Sequence, residues 1–399
     1  MKWEKKKLCE CTEYITDGDH QPAPKADKGV HFIKIKDIVN NQVSFDAQVY
    51  VPQEYYDNLP MERKPQKEDV LYTVVGSFGI PSYVQTDELF CFERNIALLH
   101  PNKEIEPRFL YYSLKNPAFY KGVEIVANGS AQKLIPLSKL KDLKISVPDK
   151  EAQRHIADIL SAYDDLIENN QKQIKLLEEA AQRLYKEWFV DLRFPGHENT
   201  KIVDGVPEGW SKSTVSEASA VLRRGISPKY NEKARGIVIN QKCIRQTIVS
   251  YDEARTQEKK YPAELEMMES DIVICSTGAG TLGRVGQIFE AKGNVTLDSH
   301  VTLIRANEKI GQQSLFWSLK MKQDYLMNAG KGSTNQLELS RETIGSCEIL
   351  IPERKIAEQV EKNFVAIHNK MKECSMQIAR LREARNLLLP KLMSGEVEV

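Results

Sequence analysis

Residues 160–188 read LSAYDDLIENNQKQIKLLEEAAQRLYKEW, and residues 364–392 read FVAIHNKMKECSMQIARLREARNLLLPKL. In both stretches, apolar residues recur at alternating intervals of three and four, which is the heptad seam of a helix packed on another helix. Each seam position in the second stretch lies 204 residues after its counterpart in the first. The seams consist of Leu160, Tyr163, Ile167, Asn170, Ile174, Leu177, Ala181, Leu184 and Trp188, and of Phe364, Ile367, Met371, Cys374, Ile378, Leu381, Arg385, Leu388 and Leu392.

Neither Pro nor Gly interrupts residues 149–194 or 353–389, so each stretch predicts one long helix. Such a helix is unstable alone in water and needs a partner along its seam. Asn170 and Arg385 are the polar residues on the seams. They are candidates for fixing the register of the pair, or they are tolerated positions at its rim.

The repeat extends into the regions before each helix. Segments match in the same order at offsets of 202 to 205 residues, which indicates a tandem duplication. The matched segments are 69–76 with 271–278, 109–115 with 315–320, 129–132 with 332–335, and 144–148 with 348–352.

Short β-branched and aromatic runs, such as residues 30–35 and 237–239, predict strands in each copy, and short helices are predicted over 107–115 and 313–325. We therefore predict an α+β protein with two tandem-duplicated α/β globular domains, each followed by a long helix. The two helices are expected to pack as an antiparallel coiled-coil stalk. The predicted segments are a first domain at 1–148, a long helix at 149–194, a linker at 195–210, a second domain at 211–351, and a long helix at 352–399.

Composition limits the classes of protein that the chain can represent. Its 399 residues, 41% hydrophobic, are enough for more than one packed core. The 56 basic and 56 acidic residues give a net charge of zero, so any DNA binding must come from local patches or from partner chains. Seven scattered cysteines without a CxxC spacing, and no long apolar run, predict a cytoplasmic protein without zinc, disulfides or membrane insertion.

Motifs that would indicate catalysis are weak. The glycines of residues 278–283 resemble a dinucleotide fingerprint, but a strand and not a helix is predicted next, so a hairpin turn is preferred. Asn116-Pro-Ala-Phe119 lacks the second proline of an amino-methyltransferase motif, and the histidines form no metal or triad pattern. His100 and His300 are interpreted as ordinary strand histidines. The carboxylate pairs Asp164-Asp165 and Glu178-Glu179 are interpreted as solvated helix faces.

Three segments carry a resemblance to a known family. Val147-Pro-Asp-Lys-Glu-Ala-Gln153 with the following residues to Leu160, then residues 184–191, and finally residues 389–396 closely resemble the DNA specificity (S) subunits of type I restriction-modification systems. The Gly129-Ser130 and Gly332-Ser333 segments are also similar to that family. The resemblance covers nearly the whole chain and is weakest over 10–65 and 211–265. The second copy departs from the pattern, because Gln359 does not stand where Gln153 does.

The resemblance implies a non-catalytic recognition subunit. Each globular domain would be a target-recognition domain for one half of a bipartite, asymmetric DNA sequence. The helices would set the spacer and dock two methyltransferase subunits, to which restriction subunits attach. S-adenosylmethionine, ATP and magnesium would then belong to those partners.

Polar and basic residues near the repeated glycines have the chemistry to contact bases or phosphates. The alternative interpretation is that they are ordinary turn and surface residues that bind nothing. The candidates for DNA binding are Ser130, Gln132, Lys133, Arg223, Arg224, Arg284, Ser333, Asn335 and Gln336.

Two other functions remain open. A self-contained DNA methyltransferase would need a cofactor motif. A coiled-coil adaptor would bind proteins through its duplicated domains and would not recognise DNA. The two domains differ in sequence, whereas the heptads of the two helices are in phase. This favours two domains that bind different ligands at a distance set by the helices.

Overall fold

The computed structural model describes residues 3–39, 41–127, 133–330 and 337–399. The chain forms two compact units: Met1–Asn169 with Ile378–Val399, and Asn170–Gln377. Each long helix contributes residues to both units. Among the described residues, no helix is both long and apolar enough to cross a membrane.

The first repeat and its long helix supply strands and helices in alternation. The strands are β1 (Glu4–Lys7), β2 (Thr12–Asp17), β3 (Val30–Ile33), β4 (Ile38–Val39), β5 (Gln42–Val43), β6 (Tyr50–Val51), β7 (Val70–Thr73), β8 (Pro81–Tyr83), β9 (Phe90–Phe92), β10 (Ile96–Pro101) and β11 (Lys144–Val147). The helices are α1 (Leu8–Cys11), α2 (Gln53–Asp57), α3 (Pro107–Lys115), α4 (Pro117–Val126), α5 (Leu137–Asp142) and the long α6 (Lys150–Tyr185).

The second repeat supplies a corresponding series. Its strands are β12 (Ile202–Val203), β13 (Val206–Pro207), β14 (Ser211–Thr214), β15 (Ser219–Arg224), β16 (Gly236–Ile239), β17 (Arg255–Gln257), β18 (Ile272–Cys275), β19 (Val285–Gln287), β20 (Val295–Leu297), β21 (Val301–Ala306) and β22 (Glu348–Ile351). Its helices are α7 (Gln312–Met321), α8 (Gln323–Asn328), α9 (Arg341–Gly345) and the long α10 (Arg354–Ser394).

The two repeats have the same sheet topology. In the first, an antiparallel sheet of order β2-β10-β7-β8 accompanies a sheet of order β6-β3-β9, in which β3 and β9 are parallel. In the second, the corresponding orders are β15-β21-β18-β19 and β17-β16-β20, with β16 and β20 parallel. The opening strands pair with the closing strands in both, β1 with β11 and β14 with β22. The predicted duplication and α+β class are therefore confirmed.

One glycine in each repeat lets the chain pass closely between its two sheets. A Cβ atom on Gly18, just after β2, would lie 2.2 Å from the carbonyl oxygen of Phe92, and one on Gly225, just after β15, would lie 2.1 Å from that of Leu297. The residue after each glycine then forms an isolated backbone bridge. Asp19 pairs with Glu93, which follows β9, and Ile226 pairs with Asp298, which follows β20. Only glycine fits this crossing, because any side chain would collide with backbone.

Both long helices take part in the apolar core of each unit. In the first unit, Ile156 and Leu160 of α6 and Leu389 and Leu392 of α10 belong to the cluster around Phe109. In the second unit, residues near the end of α6 and the beginning of α10, Ala181 and Phe364 among them, belong to the cluster around Trp317. None of the predicted seam residues is exposed.

The two helices run antiparallel. Asp164 of α6 contacts Arg385 of α10 in the first unit, and Gln173 of α6 contacts Cys374 of α10 in the second. Residue numbers therefore rise along one helix as they fall along the other. Helix α6 continues from Tyr185 into a π-helical turn, Lys186–Val190, and α10 continues through Pro390 to Ser394.

The interpretation of the two carboxylate pairs as solvated faces is wrong for Asp164. Its carboxylate accepts hydrogen bonds from the Tyr112 hydroxyl at 2.8 Å and from Lys115 Nζ at 3.4 Å, both on α3, and it pairs with Arg385. Burial acts to raise the pKa of Asp164, but Lys115 and Arg385 outweigh it and hold that pKa below its ordinary value. Asp164 therefore fixes α3 and α10 to α6.

Glu178 is partly buried, and the interpretation as a solvated face is wrong there too. Burial raises the pKa of this carboxyl, while a hydrogen bond with Thr247 and the charge of Lys320 act against that rise. Lys320 belongs to α7, which is the second-repeat counterpart of α3. The other members of the two pairs, Glu179 and Asp165, have side chains that are 43% and 58% exposed.

His368 occupies the position of α10 that corresponds to Asp164, 204 residues later. Its Nδ1 lies 3.0 Å from Gln287 Oε1, its Nε2 lies 3.4 Å from Ser270 Oγ, and its ring packs on Phe289 at 4.3 Å. Gln313 Nε2 donates to the same Ser270 hydroxyl at 3.2 Å. The neutral imidazole thus joins α10 to the domain of the second unit.

This buried histidine predicts acid sensitivity of the second unit. Burial lowers the pKa of His368 to about 4, with Lys372 adding to the decrease and Glu269 opposing it. The unfolded chain, with a histidine pKa near 6.5, binds the proton first, so stability is complete above about pH 6.5 and declines towards pH 4. Between pH 7.5 and 5.0 we expect a loss of about 2 kcal/mol in the free energy of unfolding that the His368→Gln variant does not show. Urea unfolding at the two pH values measures it, and an equal loss in both proteins would contradict the assignment.

Candidate nucleic-acid interface

Several elements of the second unit end at one common edge, which we call edge 2. It consists of Arg224 at the end of β15, Gln241 after β16, Thr277 after β18, His300 before β21, and Glu338. A backbone bridge joins Thr277 to Glu338, and Arg224 pairs with the Glu338 carboxylate at 2.7 Å. Residues far apart in sequence therefore form one continuous polar surface.

The centre of edge 2 is a chain of hydrogen bonds. Gln241 Nε2 donates to Thr277 Oγ1 at 2.6 Å, and Thr277 Oγ1 lies 2.7 Å from His300 Nδ1. The Thr281 hydroxyl donates to Gln241 Oε1 at 3.5 Å. Each side chain is held by the next, so the surface is ordered before any ligand arrives.

The glycine-rich residues 278–283 form the turn between the antiparallel strands β18 and β19. Gly278, Gly280 and Gly283 have φ angles of +104°, +74° and +74°, values that favour glycine. The preferred interpretation as a hairpin turn is confirmed. The turn places Thr281 beside Gln241 at edge 2.

The corresponding edge of the first unit, edge 1, has different chemistry. Val75 after β7 forms a backbone bridge with Leu134, and the Gly76 N–H donates to the Lys133 carbonyl at 3.2 Å. Lys133 Nζ lies 5.5 Å from the ring centroid of Phe78, which stacks on Tyr120 at 5.8 Å. Edge 1 therefore presents a cation over an aromatic pair, where edge 2 presents amide, hydroxyl and imidazole groups.

The structure separates the predicted DNA-binding residues into groups. Lys133 lies at edge 1 with its side chain half exposed, 4.0 Å from Glu124. Arg224 lies at edge 2, where its guanidinium also donates to the Leu339 carbonyl at 2.8 Å. The candidates Ser130, Gln132, Ser333, Asn335 and Gln336 lie outside the described residues.

Arg223 and Arg284 are not grouped with Arg224 by side-chain contacts. Arg223 pairs with Glu264, because successive residues of strand β15 alternate between the two faces of the sheet. Arg284 directly precedes β19 and is partly buried. The adjacent pair Arg223-Arg224 is therefore not one basic patch.

Sequence reasoning missed Gln241, Thr277 and His300 as members of one site. Gln241 and His300 are 59 positions apart, and no spacing motif joins them. A usable signal was the position of each residue in or near the end of a strand-like run, since loops at strand ends often carry binding residues.

The chain is similar to known proteins in sequence and in fold. Residues 1–179 match the family described as type I restriction modification DNA specificity domain. The specificity subunit of the type I restriction enzyme HindI from Haemophilus influenzae is 26% identical, over 92% of this chain and 94% of that protein. The MjaIX specificity subunit from Methanocaldococcus jannaschii is 27% identical, over 77% and 72%. The crystal structure of a type I restriction-modification S subunit from M. genitalium superposes with a TM-score of 0.60 at 18% identity, covering 98% and 96% of the two chains.

Proposed function

We propose that this chain, which is similar in sequence to specificity subunits of type I restriction enzymes and in fold to a type I S subunit, reads a bipartite, asymmetric DNA sequence and recruits methyltransferase subunits to it. Restriction subunits would join through that complex. In this proposal residues 1–148 and 211–351 are the two target-recognition domains, and the long helices set the distance between the half-sites. The chain itself is a recognition subunit and not the enzyme.

The observation that carries this proposal is the contrast between edge 1 and edge 2. Both edges form at the same place in the same topology, yet one offers Lys133 over Phe78 and the other offers Gln241, Thr277 and His300. Sequence is read by hydrogen bonds and apolar contacts to base edges. Two domains with the same topology and chemically different edges are suited to reading two different half-sites.

Partner binding is supported by exposed apolar residues on the long helices. Leu176 of α6 and Leu387 of α10 are each 63% exposed. Because the chain has no net charge, partner subunits would supply much of the phosphate affinity. S-adenosylmethionine, ATP and magnesium would be bound by those partners.

Methylation mapping tests the proposal. The chain is co-expressed with a cognate methyltransferase subunit in a host without DNA methylation, and modified bases are located by sequencing. We expect a gapped, two-part methylated motif that disappears when this chain is omitted. Unchanged methylation with a verified complex would support a protein-binding adaptor instead, and methylation by this chain alone would reveal an active site.

A further inference from the structure

His300 at edge 2 is exposed but rigidly held. Its backbone N–H donates to Asp298 Oδ1 at 2.9 Å, and its carbonyl accepts from the Ser276 N–H at 2.8 Å. Its ring Nδ1 lies 2.7 Å from Thr277 Oγ1. The backbone of His300 is thus held at two points and its exposed ring at one, and holding an exposed side chain costs conformational entropy that solvation alone does not require.

The neighbouring hydrogen bonds favour one tautomer of His300, because among the described residues the Thr277 hydroxyl has no acceptor for its hydrogen other than His300 Nδ1. Gln241 Nε2 donates to Thr277 Oγ1, so the Thr277 hydroxyl hydrogen is available for His300 Nδ1. In the neutral ring Nδ1 is then an acceptor and Nε2 carries the hydrogen. Among the described residues, Nε2 of His300 has no hydrogen-bond partner. The network therefore presents one oriented N–H donor to solvent.

The first repeat has no such donor at the corresponding position. There the Val74 N–H donates to the Asn95 carbonyl at 2.9 Å. In the second repeat the corresponding bond runs from the Ser276 N–H to the His300 carbonyl. Asn95 thus takes the backbone place of His300, with an amide in place of the ring. At this position only the second unit has an imidazole, as expected for a group that distinguishes one half-site from the other.

We propose that His300 donates a hydrogen bond from Nε2 to an acceptor of the DNA half-site read by the second unit, with Thr277 and Gln241 as positioning residues. This rests on the proposed function. The acceptor class is the oxygen or ring nitrogen of a base edge, such as guanine O6 or N7, or a phosphate oxygen. Base and phosphate have different consequences for specificity, so one experiment separates them.

The experiment compares wild type with His300→Ala in the complex with the methyltransferase subunit, by methylation mapping and by DNA binding over a range of salt concentrations. For a base contact we expect about tenfold weaker binding of the wild-type site and relaxed selection at one position of one half-site. For a phosphate contact we expect weaker binding of all sites without relaxation, and a shallower salt dependence. Unaltered affinity and an unaltered motif would overturn the assignment.

Variants of Thr277 test the positioning role. Thr277→Val removes the hydroxyl that orients the ring and is expected to reproduce much of the His300→Ala effect, whereas Thr277→Ser keeps the hydroxyl and should retain the wild-type motif. If Thr277→Val leaves affinity and motif intact while His300→Ala changes them, the positioning role is rejected. His197→Ala, a histidine of the same unit whose ring bonds to the Phe194 carbonyl, is the matched control.

Thermal melting of each variant complex separates lost contacts from lost folding, and His300→Ala should melt as wild type does because the side chain is exposed.

Failure of this inference is distinguishable from failure of the proposed function. A wild-type complex that methylates a gapped motif, with an unchanged motif in His300→Ala, rejects only the role of His300. A wild-type complex that produces no motif rejects the proposed function and this assignment with it.

Discussion

Inserting one heptad into each long helix is expected to lengthen the gap of the recognised motif by about three base pairs. A copy of residues 170–176 placed between Asn169 and Asn170, and a copy of residues 371–377 placed between Gln377 and Ile378, keep both seams in phase. Seven residues add about 10 Å of helix, and three base-pair rises span about the same length. Both sites lie where the chain passes from one compact unit to the other.

Methylation mapping of the double insertion measures the gap directly, and both half-sites should stay the same, because edge 1 and edge 2 are unaltered. A matched control inserts two residues into each helix at the same places, which turns the following part of each seam by about 200° to the opposite face and should abolish methylation. A lengthened variant that still modifies the original motif would show that the helices do not set the spacing.

The second large effect is on stability. Asp164→Asn is expected to lower the free energy of unfolding by about 3 kcal/mol, because Lys115 and Arg385, each only 13% exposed in the side chain, would lose their shared negative charge. Asp165→Asn is the matched control. That carboxylate is 58% exposed and lies 3.8 Å from Arg108, so its loss should cost less than about 1 kcal/mol.

Urea unfolding of the two asparagine variants and wild type provides the comparison. Burial lowers the pKa of Lys115 to about 8, with Asp164 opposing the decrease, so the Asp164→Asn variant should also release the Lys115 proton more readily. Equal stability of the two variants would mean that the contacts of Asp164 contribute no more than a surface ion pair.

The sequence was sufficient to predict the long helices, their common phase and the duplicated strands, because these depend on local periodicity and on segments that can be compared directly. Helix α3 was predicted with its observed bounds, whereas the helix predicted over 313–325 is interrupted at Lys322 between α7 and α8. The division between Arg223 and Arg224 could have been read from strand alternation. The burial of Asp164 could not, because its partner Arg385 lies 221 positions away.

The same limit applies to edge 2, which depends on tertiary contacts. A hydrogen-bond chain through Gln241, Thr277 and His300 exists only once strand ends from two sheets have been brought together. Each of these residues, considered alone, is of a type that also occurs in ordinary turns. The resemblance to a family led to the proposed function, but the proposed roles of residues at the edges required the tertiary contacts.

The assembly of the first compact unit from Met1–Asn169 and Ile378–Val399 has a consequence for biosynthesis. During translation, the ribosome makes all of Asn170–Gln377 before it makes the residues that complete the first unit. The surface of α6 that later receives Leu389 and Leu392 must therefore remain uncovered, or be covered by a chaperone or a partner, while the second unit is made. The part of the chain synthesised first is the part that finishes folding last.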